Sequence, residues 1–304
     1  VFALCSFLFV GTIALIYHLL TENIYTLFIL LVFYFLLKYY KTKLFWQLSL
    51  AISILILSML VRPGSKWLAI VFLIFYLKEF IRFYKSKAAF LVYGSLLLVL
   101  IQCAGIRYQF GNFTISYIDS VTYYNYIGSK AIAHKKGAEF DMSKDPRTFY
   151  IFSLKPTEIQ AEVKRDLLFQ LKTNSGNLLW AYCSDVYDNT ISGSFPLSEN
   201  KNLKNKSNFN FWKDFFFTIT QWQNRIFTIL GLLLAVYYFF TNYKKKVYFS
   251  LISFYILYII GTSGISCAQG DRFHLVIFPF VLVLCAKLYV SKVESQKSKI
   301  ASSK

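Results

Sequence analysis

Three short polar turns interrupt an otherwise apolar chain, and each carries side chains able to do chemistry. Glu22, in Thr21-Glu22-Asn23, stands where an apolar run begins. A carboxylate there can serve as a helix cap favoured by the dipole, or it can face a cavity and orient an acceptor or a divalent metal. Arg62 and Lys66 flank Pro63-Gly64-Ser65 between two apolar runs. They either snorkel to a membrane surface or clamp a phosphate, for which the planar guanidinium fork is suited. Asp271, Arg272 and His274 follow Gly270 in Gln-Gly-Asp-Arg-Phe-His. Asp271 as an N-cap with Arg272 as its local partner would explain part of that cluster. Asp-Arg-x-His beside a glycine, which lets backbone approach a ligand, is more than one cap requires. His274 taken alone fits a hydrogen-bonded structural histidine equally well.

The elements that must hold these turns are apolar. Hydrophobic residues make up 56% of the 304 and mean hydropathy is +0.48, outside the range of ordinary soluble domains. The 32 Phe and 23 Tyr suit lipid-facing helices and interfacial belts. Eight apolar segments can be drawn, at about 1–20, 24–40, 44–61, 66–82, 88–106, 223–242, 247–263 and 272–290. Pro63, without an N–H, and Gly64 predict a tight turn between the third and fourth. The net charge of +18 does not imply nucleic acid. Residues 106–222 hold fourteen Lys or Arg against eleven Asp or Glu, so the excess lies around the apolar segments. Fifteen cations, among them Lys38, Lys41, Lys43, Lys78, Arg82, Lys85 and Lys87, fall in alternate loops and the tail, against only Glu79 and Glu294. By the positive-inside rule those loops and the C-terminus are cytoplasmic, and the three polar turns with 106–222 lie on the opposite face.

The expected architecture is an all-α membrane protein of about eight transmembrane helices with a small helical extracytoplasmic domain. Residues 1–105 form the first five spans and 106–222 the domain. Residues 223–291 form the last three spans, and 292–304 a basic tail. Within the domain, Tyr117, Val121, Tyr124, Ile127, Ala131 and Ile132 recur at helical spacing and predict a helix over 116–136. Thr157 with Gln160 predicts a capped helix over 158–172, and a third helix is expected over 176–188. Asn200 to Asn210 is polar and low in complexity, and 211–222 is amphipathic, suiting an interfacial helix. Five scattered cysteines lack ligand-like spacing; a Cys183–Cys267 disulfide is left open. Phosphate-binding glycine loops, GxSxG and HExxH are absent, and few charges lie mid-span, which disfavours ion-coupled transport.

The run from TENIYTLFILL to KWLAIVFLIFYL resembles polytopic GT-C glycosyltransferases related to protein O-mannosyltransferases and lipid A aminoarabinose transferases. Those proteins open a span with an acidic residue, follow it with a basic loop, and end the next span in an Arg-Pro turn. Here these are Glu22, Lys38 to Lys43, and Arg62-Pro63. GDRFHLVIFPFVLVL is similar to the family's late Arg-containing turn and proline-bearing span, through Arg272 and Pro279, and SVTYYNYIGSKAIAHKKG to an outer-domain helix of bacterial members. The resemblance implies a polyprenyl-phosphate-sugar donor, an extracytoplasmic acceptor (lipid, glycan or protein) and inversion at the anomeric carbon. Arg62, Lys66 and Arg272 would hold the donor phosphate, while Glu22, Asp271 and His274 line the acceptor side. No cofactor is required by this reading, and a divalent metal is left open. The partners are the bilayer, the lipid donor and the acceptor. The location is the bacterial inner membrane. The family's paired acids in its first outer loop have no counterpart here, and the expectation is that the chain starts after that loop and is inactive alone. An O-antigen polymerase or ligase, or a non-catalytic scaffold subunit, is the alternative.

Overall fold

The computed structural model describes residues 21–116, 118–193, 208–242, 247–265 and 270–302. Every regular element among them is helical. They divide into two compact units, one built on residues up to Asn189 plus the stretch from Gly261, the other on Thr190 to Ile260 and the chain from Gly270.

The first unit starts with α1 (Thr21–Thr42), α2 (Phe45–Val61), a 3-10 turn (Pro63–Ser65), α3 (Lys66–Phe75), α4 (Leu77–Phe83) and α5 (Ala89–Phe110). Tyr25, Ile29, Val32 and Leu36 recur along one face of α1 and are buried, as are Leu48, Ile52 and Leu55 of α2, which packs along it. The apolar run 66–82 is two helices meeting at Tyr76. Its ring is buried, and its hydroxyl lies 2.8 Å from that of Tyr40 on α1. Ser49, early in α2, donates to the Ala88 carbonyl at the head of α5, so α2 and α5 start at one end. The chain direction then puts Lys38, Lys41, Lys43, Lys78, Arg82, Lys85 and Lys87 together there. Glu22, Arg62, Lys66 and the exit of α5 share the opposite end.

At that exit Gly111 adopts φ +78°, the left-handed conformation that closes a helix cheaply only with glycine. A Cβ at Gly111 would also strike the Thr157 methyl. Asn112 Nδ2 donates to the Pro156 carbonyl at 2.9 Å. These contacts tie α5 to a group of short helices: α6 (Ile118–Tyr123), a wide π turn (Tyr124–Gly128), α7 (Ser129–Lys135), α8 (Pro146–Ser153), α9 (Pro156–Thr173) and α10 (Ser175–Ile191). Val121, Tyr124, Ile151 and Ile159 form one small core, and Ala131, Leu178 and Ala181 another. The helix expected over 116–136 is thus interrupted by the π turn. The cap of α9 also differs from expectation. Pro156 takes the first helical position, where its missing N–H costs nothing, so Lys155 is the cap and its N–H bonds Glu158 instead of Thr157 pairing with Gln160.

The second unit contains α11 (Phe209–Asn242), α12 (Val247–Ser263, whose last turn joins the first unit), 3-10 turns at Gly270–Phe273 and Leu275–Ile277, and α13 (Phe278–Ser302). The interfacial helix and the sixth span expected separately are one continuous helix of 34 residues, because no proline or paired glycine breaks 209–230. Phe227 stacks on Phe278 at 4.9 Å, and Tyr255 meets Phe280 edge-on at 5.0 Å. Gly231 lets α11 and α13 approach, since a Cβ there would lie 2.8 Å from the Val281 Cγ2 and 3.6 Å from the Ile256 Cγ2. Gly231→Leu should lower stability by about 1–3 kcal/mol through overpacking. Gly231→Ala should cost less, because alanine's helix propensity offsets part of the clash. Thermal unfolding of the two reconstituted variants would order them.

Among the described residues, four helices are long and apolar enough to cross a membrane: Thr21–Thr42, Ala89–Phe110, Phe209–Thr241 and Leu275–Glu294. The segments at 44–61, 66–82 and 247–263 appear as shorter apolar helices, and 1–20 lies outside the described residues. Most of Asn200 to Asn210 and all of Cys267 also lie outside them.

Candidate functional site

Arg62 owes its position to the break that follows α2. Its backbone turns extended (φ −135°, ψ 97°) while its N–H still bonds the Ser58 carbonyl at 2.8 Å. Pro63 starts the 3-10 turn, and the Arg62 carbonyl accepts from both the Ser65 N–H (2.9 Å) and the Ser65 hydroxyl (2.8 Å). Ser58 and Ser65, both buried, approach to 3.2 Å through their hydroxyls. The guanidinium is therefore held from a rigid corner, and it lies over the Tyr25 ring with Cζ 5.2 Å from the centroid. Tyr25 is fully buried, and Glu22, one helical turn before it on α1, is only 5% exposed. A carboxylate, a phenol ring and a guanidinium thus gather between α1 and the end of α2. Ionisable groups withdrawn from water at a helix end cost several kcal/mol each unless something polar receives them. Lys66 opens α3 on the far side of the same turn, with Nζ 5.8 Å from the centroid of its exposed neighbour Trp67.

Arg272 and His274 belong to the second unit. Arg272 is half-buried in the 3-10 turn; the side chain of Asp271 lies outside the described residues. His274 is fully buried, and its Nδ1 lies 3.1 Å from Thr228 Oγ1 on α11. Thr228 donates to Asn224 Oδ1 (3.1 Å), and Asn224 Nδ2 donates to the Ser192 carbonyl (2.8 Å). With its one proton committed, Thr228 can only accept from His274, which puts the imidazole proton on Nδ1. The structure gives His274 the hydrogen-bonded role, one end of a relay. Asn224 and Thr228, four apart in an apolar run, carried the signal for this relay, and Arg225 beside them reaches the Ile191 carbonyl at 3.3 Å.

Two charged networks brace the short helices of the first unit. Arg147 forks onto Asp166 (3.0 and 2.8 Å), which also accepts from Tyr123 (3.1 Å) and Gln170 (2.9 Å). Burial and the neighbouring Asp166 raise the pKa of Tyr123, which stays a donor. Lys130 bonds Asp185 (2.6 Å) and Asp188 (3.0 Å), and His134, one turn on, stacks on Trp180 at 3.6 Å. Burial alone would lower the Lys130 pKa, but the two carboxylates outweigh it and hold it above the ordinary 10.5. A raised lysine contributes stability that is complete below 10.5 and lost as pH rises through the folded value. Unfolding monitored between pH 9 and 12 should therefore show a loss confined to the alkaline end, and Lys130→Met should shrink that limb.

Among the described residues, no three His, Cys, Asp or Glu side chains gather as a metal site would need. No family model, curated protein or solved structure matches the chain.

Proposed function

We propose that this chain is a membrane glycosyltransferase of the GT-C type that moves a sugar from a polyprenyl-phosphate donor to an extracytoplasmic acceptor. The observation that carries the reading is the gathering of Glu22, Tyr25 and Arg62, with Lys66 beyond the turn, at the end of the helix group opposite seven cations. In this reading the cationic end faces the cytoplasm of a bacterial cell, the C-terminus with it, and the chain crosses the inner membrane eight times. The acceptor hydroxyl gives its proton to a general base as its oxygen attacks the anomeric carbon, the bond from that carbon to the phosphate oxygen breaks, and configuration inverts. Negative charge grows on the departing lipid phosphate. Arg62 and Lys66 stabilise it electrostatically, and Glu22 faces the acceptor. Equilibrium binding of polyprenyl phosphate and of the matching polyprenol to the purified chain in nanodiscs tests the reading. Preference for the phosphate form is expected; equal retention of the two lipids would overturn it.

A further inference from the structure

The exit of α5 and the helices tied to it carry an aromatic rim that no part of the proposed reaction uses. On α5, Arg107 lies in the last turn and Tyr108 is 93% exposed; Phe113 follows just beyond, also exposed. On α8, Phe149, Tyr150 and Phe152 are exposed although the helix has only eight residues. Chance orientation does not explain this, because α8 is pinned by Ile151, which is fully buried against Val121, Tyr124 and Ile159. The aromatic side of α8 is therefore held outward by its own core contact. Its distance from the end of α5 is bounded as well. Asn112, two residues past α5, grips the Pro156 carbonyl. Phe152 precedes Pro156 by four residues, which span at most about 14 Å of chain. If α5 crosses a bilayer, its last turn marks the boundary, and the headgroup layer beyond is roughly 6 Å thick.

We propose that the aromatic side of α8, with Tyr108 and Phe113, sits in the headgroup layer of the bilayer that α5 crosses. Aromatic rings beside an arginine at the end of a span are the composition such interfaces select. The α8 corner then anchors the short helices to the membrane surface at a second place besides the α5 junction.

The inference rests on α5 being a span, and the test separates the two. Phe149→Cys and Phe152→Cys, each in a cysteine-free background, are labelled with an environment-sensitive nitrobenzoxadiazole dye, and the full chain is reconstituted in nanodiscs. Leu97→Cys, midway along an exposed side of α5, reports the span. Doxyl lipids labelled near the glycerol should quench both α8 positions, their emission should shift to the blue, and iodide quenching should be lost. Deep doxyl lipids should quench position 97. If position 97 is quenched while both α8 positions keep water-like emission and full iodide access, the interfacial assignment is wrong, even should a protein partner later be found to cover the rim. If position 97 is iodide-accessible, the span and the inference fail together.

Discussion

Replacing Asp166 with alanine is expected to destabilise the short-helix group by about 3–5 kcal/mol, the usual cost of stranding one member of a buried ion pair. Asp166 and Arg147 are 11% and 20% exposed at their side chains, so solvent screens the pair only weakly. The carboxylate accepts four hydrogen bonds, from both Arg147 terminal nitrogens, Tyr123 and Gln170. Its loss leaves the guanidinium pressed on the Tyr124 ring at 4.0 Å with only Ser129 bonded to its Nε. Replacing both partners, Arg147→Met with Asp166→Leu, should cost far less, because no charge is then left buried. Hydrogen exchange of α6, α8 and α9 in the reconstituted protein measures both. If the single and double variants were equally destabilised, the pair would not be what holds these helices.

Arg62→Ala should weaken binding of polyprenyl phosphate by about 2 kcal/mol or more, some thirtyfold, since a charge-assisted contact in a desolvated corner is lost. Arg62→Lys should recover little of this. An ammonium can still stand over Tyr25, but it lacks the fork that meets two phosphate oxygens at once. Binding of polyprenol should be unchanged in both variants, which separates loss of the clamp from loss of the fold. Polyprenyl phosphate affinity unaltered in the alanine variant would remove Arg62 from the site.

Much of the arrangement around Arg62 was legible in the chain. Pro63-Gly64 marks the turn, the apolar runs mark the helices, and the lysines mark which ends belong together. What local pattern could not supply was tertiary. Tyr25 is one tyrosine among 23, and nothing in its neighbours marks it as the ring beneath a guanidinium 37 positions on. Arg147 and Asp166 are separated by 19 positions and a helix boundary, beyond the reach of any helical periodicity. The cap of α9 was misplaced by two residues because Thr157 and Gln160 match the capping box, yet Pro156 already satisfies the first helical position. The union of 211–222 with the following span into α11 was hidden for another reason. Its first part is amphipathic and its second part uniformly apolar, so a change of environment looks like a change of element.

The π turn at Tyr124–Gly128 gives this protein a place where its length can vary. Such a turn winds one residue more than an α turn. Here the surplus is accommodated by Ser129, whose hydroxyl bonds the Tyr124 carbonyl, and by Gln170, which bonds the Gly128 carbonyl. Asn125, inside the turn, buries an amide oxygen with no hydrogen-bond partner, itself a cost of about 1–3 kcal/mol. Deleting Asn125 would let the turn close to regular α geometry while Lys130 and His134 keep their facing on Asp185 and Trp180. The same deletion one turn later, inside α7, has no slack to consume and would swing the remainder of that helix by about 100°. Natural relatives of this chain, where they differ in length between α6 and α7, should differ here by one residue.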